Sequence, residues 1–221
     1  MGWILFKRAI RDLKSGFARY IALSLIIIFS LFIVVSLMAA ADTIIDSTVI
    51  SDKELNCEDG EFSVFVPLRD GELKKITDRG VSVEKMFFVD YSLNEDQVLR
   101  AFKVRESINK ISLIDGELPS TDSEAVIERR YSEVNGINVG DTITIGDKVF
   151  TVSGIGAAPD YNTVIKKITD TVVDSRYFGL IFVTPKAYDE LYESGCSIAS
   201  DEYSYAYILN GSMSEDELKS I

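Results

Sequence analysis

Residues Ile21 to Ala41 read IALSLIIIFSLFIVVSLMAAA, a run with no charge in it. A helix over these positions spans roughly 32 Å, against a hydrocarbon core of about 30 Å. Thirteen of the positions are Leu, Ile, Val or Phe. Each favours insertion by about 0.3 to 0.6 kcal/mol, so these residues alone contribute on the order of 4 to 8 kcal/mol. The sequence therefore predicts a transmembrane helix over 21–41.

The flanks of the run differ in sign. Lys7, Arg8, Arg11, Lys14 and Arg19 precede it with only Asp12 in opposition, while Asp42, Asp46, Asp52, Glu54, Glu58, Asp59 and Glu61 follow it with Lys53 as the one base. A short basic flank stays in the cytoplasm, which puts residues 42–221 outside. The chain carries −12 in all and +4 over its first twenty residues, which leaves −16 on the outer part. So acidic a surface argues against nucleic acid as a partner. A basic start, an apolar stretch and Ala39-Ala40-Ala41 also fit a secretory signal peptide. Those signals carry apolar regions of about 7 to 15 residues, and the longer run here favours a retained anchor. Ahead of the span, Phe6, Ile10, Leu13, Phe17 and Tyr20 recur at helical spacing, with most of the bases on the other side. That pattern predicts a basic amphipathic helix over 1–20 on the inner leaflet, with Trp3 as an interfacial anchor; the alternative is a helix packed on other parts of the protein.

About 180 residues remain outside, enough for a core. Cys57 and Cys196 share no metal-ligand spacing, so zinc is not expected, and the sequence leaves open whether they pair. Histidine is absent, which removes Ser-His-Asp and Cys-His catalysis and the HExxH metal site. There is no GxxxxGK[ST] phosphate loop, and Gly154-Ile155-Gly156 lacks the third glycine of a dinucleotide site. Asn210-Gly211-Ser212 fits a glycosylation sequon and equally an exposed turn. The carboxylates are scattered, and no pair is assigned as acid and base. The expectation is a non-enzyme with no catalytic, cofactor-binding or metal residues and no cofactor.

The outer part reads as α+β. Residues 42–59 continue the helix outward as a stem through about Leu55. Phe62 to Val66 reads as a strand, Asp70 caps a helix to about Asp78, and Val81 to Tyr91 reads as a second strand after Gly80. Gly179 to Val183 is an apolar strand, Thr184 caps a helix that has Pro185 in first position, and Tyr203 to Leu209 is another strand. These two strand-helix-strand units, 60–96 and 178–209, are expected to form one subdomain of a core over 60–209, with 97–177 as a β-rich insertion. Within the insertion, Thr142 to Ile145, the pair Gly146-Asp147 and Lys148 to Val152 predict a type II′ hairpin with Ile143 opposite Phe150. Gly140 and Gly154 are expected to bound it as turn or bulge residues. Asp160 to Tyr177, with Lys166, Lys167 and Arg176, is an exposed loop that meets a partner or an ordinary surface loop. Ser214 with Glu217 opens a further helix, so 210–221 reads as the truncated start of a stem returning to the membrane.

The chain resembles the FtsX-like and MacB-like permeases of ABC transporters. The resemblance is carried by Phe6 to Lys14 running into the span, Asp115-Gly116-Glu117-Leu118-Pro119, Glu124 to Ile127, Val139-Gly140-Asp141 before the hairpin, Val152 to Ile155, and Phe178 to Val183 leading into Thr184-Pro185. It implies an outer core domain between two membrane helices, a permease dimer with a second copy or a paralogue, surrounding membrane lipid, and a separate ATPase subunit. The ATPase would be reached through membrane helices and a coupling loop that this sequence lacks. The implied function is transmission of ATP-driven motion to an outer domain for export or release of a substrate. The alternatives are a single-span sensor or adhesion protein whose outer domain binds a ligand and, behind it, an anchored hydrolase using carboxylates alone.

Overall fold

The computed structural model describes residues 3, 6–8, 11, 14, 16–94, 97–161, 164, 174–194, 198–199 and 203–210. The chain forms two compact units, Met1–Ser51 and Asp52–Ile221.

In the first unit, Trp3, Phe6, Lys7, Arg8, Arg11 and Lys14 are helical and exposed, and the Lys7 ammonium lies 4.2 Å over the Trp3 ring. Helix α1 (Phe17–Leu55) follows, with the expected run and stem in one continuous element. Its stretch Phe17–Ile45, of mean hydropathy 2.9, is long and apolar enough to cross a membrane and is not buried against protein. The hydroxyls of Ser30 and Thr43 donate to the carbonyls of Ile26 and Ala39 (2.8 Å each), which satisfies these polar groups inside the helix.

The second unit holds two sheets. The smaller joins β1 (Gly60–Val64), β11 (Tyr203–Leu209) and β2 (Val81–Lys85), all antiparallel, with β11 in the centre. Helix α2 (Asp70–Thr77) covers it through Ile76, which packs with Val81 and Tyr207. The N-cap of α2 is Arg69 rather than the expected Asp70, and the Glu72 carboxylate reaches back to the Arg69 N–H (2.8 Å). The chain enters and leaves this sheet on neighbouring strands. Gly60 stands opposite Tyr207, and the Asp59 carboxylate accepts from the Leu209 N–H (2.8 Å).

The larger sheet has eight strands. Seven lie in the order β10 (Ile198–Ala199), β3 (Phe88–Ser92), β4 (Val98–Lys103), β9 (Phe178–Val183), β6 (Glu124–Glu128), β8 (Lys148–Ala157) and β5 (Ser112–Gly116), and β7 (Thr142–Ile145) also pairs with β8. The pairs β4/β9 and β6/β8 are parallel and the others antiparallel. Helices α3 (Arg129–Asn135) and α4 (Pro185–Glu193) cover one face, where Tyr131, Tyr188 and Leu191 join Leu99, Ile127 and Ile181. The other face carries Val98, Phe102, Leu180 and Phe182. Thr184 caps α4 by accepting from the Ala187 N–H (3.2 Å), with Pro185 in the first turn as expected. Gly179 is required by packing, since a Cβ there would sit 2.4 Å from the Tyr131 ring.

Two expectations about strand sharing are corrected. The run Val81 to Tyr91 is two strands, split at Met86-Phe87, and β2 and β3 enter different sheets. Nothing in the run breaks an extended chain; the split is made by packing, with Met86 buried and the Phe87 ring set edge-on against Tyr203 and Tyr205 (5.0 and 5.2 Å). The strand at Phe178–Val183 pairs with no strand of residues 60–96, and of those residues only β3 shares its sheet. It lies in the middle of the large sheet between β4 and β6, buried along its whole length. The presumed insertion is therefore part of the platform.

The hairpin forms as read. Ile143 faces Phe150, and these two are buried with Ile145 and Val152 while Thr142, Thr144 and Thr151 face out. Positive φ falls on Gly146 (+60°) and not on Asp147, as a type II′ turn requires. Gly140 is a turn residue (φ +93°), and Gly154 stands at a bulge where β8 shifts register against β6. The sequon beyond Asn210, the helix at Ser214 to Glu217, Lys166, Lys167 and Cys196 lie outside the described residues.

Candidate functional site

The segment 104–111, between β4 and β5, is gripped from three sides. It begins as a continuation of the large sheet, with the Val104 N–H donating to the Val183 carbonyl (2.9 Å). The Arg105 side chain then turns inward and keeps only 2% of its exposure. Its guanidinium meets the Asp160 carboxylate in a two-pronged pair, with Nη2 to Oδ2 at 2.9 Å and Nη1 on Oδ1, and Nη1 also donates to the Asn109 carbonyl (3.3 Å). The Phe102 and Phe182 rings lie 5.1 and 5.5 Å from the guanidinium carbon. Asp160 belongs to a single 3₁₀ turn, Pro159–Tyr161.

The small sheet supplies the second grip. The Glu84 carboxylate, projecting from β2, accepts from three successive backbone N–H groups, Glu106 and Ser107 at 2.9 Å each and Ile108. A carboxylate can satisfy several donors at once, and bonds to a charged acceptor are stronger than neutral ones. The Ile108 side chain is fully buried with Met86 and Ala206.

The end of α1 supplies the third. Asn56 adopts left-handed backbone (φ +52°), and the Cys57 N–H closes on the Asp52 carbonyl (2.9 Å), the six-to-one bond of a Schellman ending. Asn56 Nδ2 donates to the Ser107 carbonyl (2.6 Å), while the N–H groups of Asn109 and Lys110 donate to the carbonyls of Asn56 (3.0 Å) and Leu55 (2.8 Å). Asn109, also left-handed (φ +51°), pairs with Glu58 twice: Oδ1 accepts from the Glu58 N–H (3.0 Å) and Nδ2 donates to Oε2 (2.9 Å). Asparagine is one of the few residues with a side chain that accepts this backbone.

Burial raises the Glu58 carboxyl pKa above the ordinary range; the Asn109 hydrogen bond opposes the shift, and Asp160 and Glu61 add to it. The Cys57 thiol is pushed up to about 11 by burial and then by Asp52, so it is protonated at neutral pH and unreactive. On the same face as Arg105, Arg100 pairs with Asp90 through Nε (2.7 Å) and Nη2 (2.9 Å), donates to the Tyr161 hydroxyl (3.2 Å) and stacks 3.8 Å from Phe88. Burial alone would lower the Arg100 pKa, but the Asp90 and Tyr161 contacts hold it above its usual value.

This arrangement offers no nucleophile beside a base, and among the described residues no group of three or more His, Cys, Asp or Glu is placed to hold a metal. What it offers is a dense set of hydrogen bonds that ties the last residues of α1 and both sheets to the segment 104–111. The sequence did not single out Arg105, Glu84, Asn109 or Asn56. Asn56 had a readable signal, an asparagine following a long helical pattern, whereas Glu84 is indistinguishable in sequence from a solvated strand carboxylate. The loop from Asp160 starts as an anchored segment rather than an exposed one, since Asp160, Tyr161 and the buried Val164 all meet protein. Arg176 at its far end is exposed and paired with Asp174 (2.7 Å). Residues that carried the family resemblance form turns: Glu124 accepts from the Ser120 and Thr121 N–H groups (2.7 and 3.0 Å), and Asp141 from the Asn138 N–H (2.8 Å).

Among solved structures the chain is similar to three domains. One is the extracellular domain of the noncanonic ABC-type transporter YknZ from Gram-positive bacteria, 14% identical over 73% of this chain and 88% of that one, with a TM-score of 0.36. The periplasmic region of MacB from Actinobacillus actinomycetemcomitans is 12% identical over 74% of this chain and 81% of that one, with a TM-score of 0.38. A domain of a putative permease protein from Porphyromonas gingivalis is 15% identical over 66% and 70%, with a TM-score of 0.37. No family model matches the sequence, and no curated protein does.

Proposed function

We propose that this chain is the N-terminal part of an ABC transporter permease subunit. In this reading residues 1–20 lie on the inner leaflet, the apolar part of α1 crosses the membrane, 42–59 form the stem, and the α+β domain stands outside as a transmitter of motion with no chemistry of its own. The reading rests on the residues of this chain and not on the scores of the likenesses above. The observation that carries it is the uncharged run, basic before and acidic after, leading in one helix to a domain whose entry and exit strands adjoin. Adjoining strands suit a domain inserted between two membrane helices. The hydrogen-bonded joint at 104–111 suits a domain that must follow its stem. A separate ATPase subunit on the inner side would supply the motion, and a second permease copy or a paralogue would complete the assembly.

A single-span sensor would give no reason for the first and last strands of the domain to adjoin, which is why the permease reading is preferred. The test uses reporters: a fluorescent protein that matures only inside the cell fused before Met1, and alkaline phosphatase, active only outside, fused after Asp59. The expected result is activity of both, with the chain retained in the membrane fraction and an ATPase subunit co-purifying with the full-length permease. Release of an outer domain that begins at Asp42 would refute the reading.

A further inference from the structure

We infer that Arg105 is the strut by which the end of α1 and the large sheet move as one body, a role that deepens the mechanical reading above and rests on it. Asn109 is clasped to Glu58 and, through its N–H, to Asn56 at the helix end. Arg105 touches Asn109 with one arm and holds Asp160 with both. Beside Asp160, Tyr161 accepts from Arg100, whose other nitrogens are fixed on Asp90 in β3. A continuous line of contacts thus runs from the last turn of α1, through one buried guanidinium, to the aromatic face of the large sheet.

The chemistry of the strut is specific to arginine. A planar fork can hold a carboxylate with two parallel bonds and still reach a carbonyl, and resonance fixes the angle between these partners. The ammonium of lysine has no such fixed geometry. A salt bridge sealed from water is poor evidence of stability, because desolvation offsets much of the attraction, but its directionality resists displacement. Arg105 Nε is buried without a hydrogen-bond partner among the described residues, so its terminal nitrogens carry its polar contacts. The neighbouring cation Lys103 makes an exposed pair with Asp189 and provides the contrast.

Spatial continuity is not coupling, so the test cuts the line at one end and reads it at the other. The 221-residue chain in lipid nanodiscs is followed by amide hydrogen exchange. Asp160→Asn is expected to speed exchange of the Asn109 and Lys110 N–H groups by about tenfold, although Asp160 bonds to neither. Asn56→Ala is expected to do the same at the Tyr161 N–H. Arg105→Lys, with the charge but not the fork, should reproduce both effects, and Lys103→Gln should produce neither. Effects confined to the neighbourhood of each substitution, or an Arg105→Lys variant that behaves as the parent, would overturn the inference. Should Arg105→Lys fail to fold, Asp160→Asn and Asn56→Ala decide the matter between them. No ATPase or transport enters the measurement, so its failure leaves the permease reading standing, and a failed topology test leaves the strut standing.

Discussion

Strand β9 of the large sheet buries all of its residues from Phe178 to Val183, whereas β1 of the small sheet exposes Glu61 and Ser63 and half-buries the residues between. The large sheet has helices on one face and an aromatic layer with two buried arginines on the other. The small sheet has a single short helix and a core of Ile76, Val81 and Tyr207 with half-buried neighbours. One is held by its own packing. The other is tied to the segment 104–111 by the hydrogen bonds of Glu84, and Asn56 ties the end of α1 to the same segment. The second unit thus combines a close-packed platform with a smaller, more polar sheet.

The largest effect that could break this contrast is Phe182→Ala. The ring stacks on Phe102 at 5.7 Å in a fully buried strand, so the loss should be about 3 to 5 kcal/mol. Denaturant unfolding would register it, and a loss of less than about 1 kcal/mol would show that the platform is not close-packed. Glu84→Ala comes next. It leaves the N–H of buried Ile108 without its acceptor, while those of the exposed Glu106 and Ser107 can turn to water, and should cost about 1 to 2 kcal/mol. Exchange should quicken at 106–108 while β6 and β9 stay protected; equal loosening of the large sheet would erase the distinction between the two.

Smaller still is the effect of pH on the joint. With its pKa raised in the fold, Glu58 binds a proton more readily folded than unfolded, so its contribution to stability falls as pH rises through the window between its unfolded and folded values. Glu58→Gln, which keeps an acceptor for Asn109, should remove that dependence and raise the melting temperature slightly at neutral pH. A parent protein that becomes steadily more stable as pH rises through that window, with the variant following it, would show that another group governs the joint. Least of all, Lys103→Ala should change stability by no more than about 0.5 kcal/mol despite a 2.7 Å contact, because both partners are solvated.

The elements legible in the sequence are those set by local chemistry. The hairpin was readable because Gly146-Asp147 selects one turn and alternation selects one face. The Thr184-Pro185 helix start was readable for a similar reason, and the apolar part of α1 from its length. Strand partnership was not legible. Phe178 to Val183 is a continuous apolar run, which says that the strand is central without naming its neighbours, and the split at Met86-Phe87 depends on aromatic contacts with Tyr203 and Tyr205 more than a hundred positions away. The joint was the least legible part. Glu84 acts on backbone groups that carry no residue-type signature, and the side-chain partners of Arg105 and Asn109 lie about fifty positions away, so no spacing rule finds them.

The adjacency of β1 and β11 has a geometric cost for whatever follows Leu209. Neighbouring strands lie about 4.8 Å apart, while packed helices keep their axes at about 8 to 10 Å. A second helix leading away from β11 beside α1 would have to fan outward by several ångströms within a few residues. The short link between helix and strand, Asn56 to Asp59, is thus where torque from the helix would concentrate, and the left-handed asparagine at 56 sits at that fulcrum.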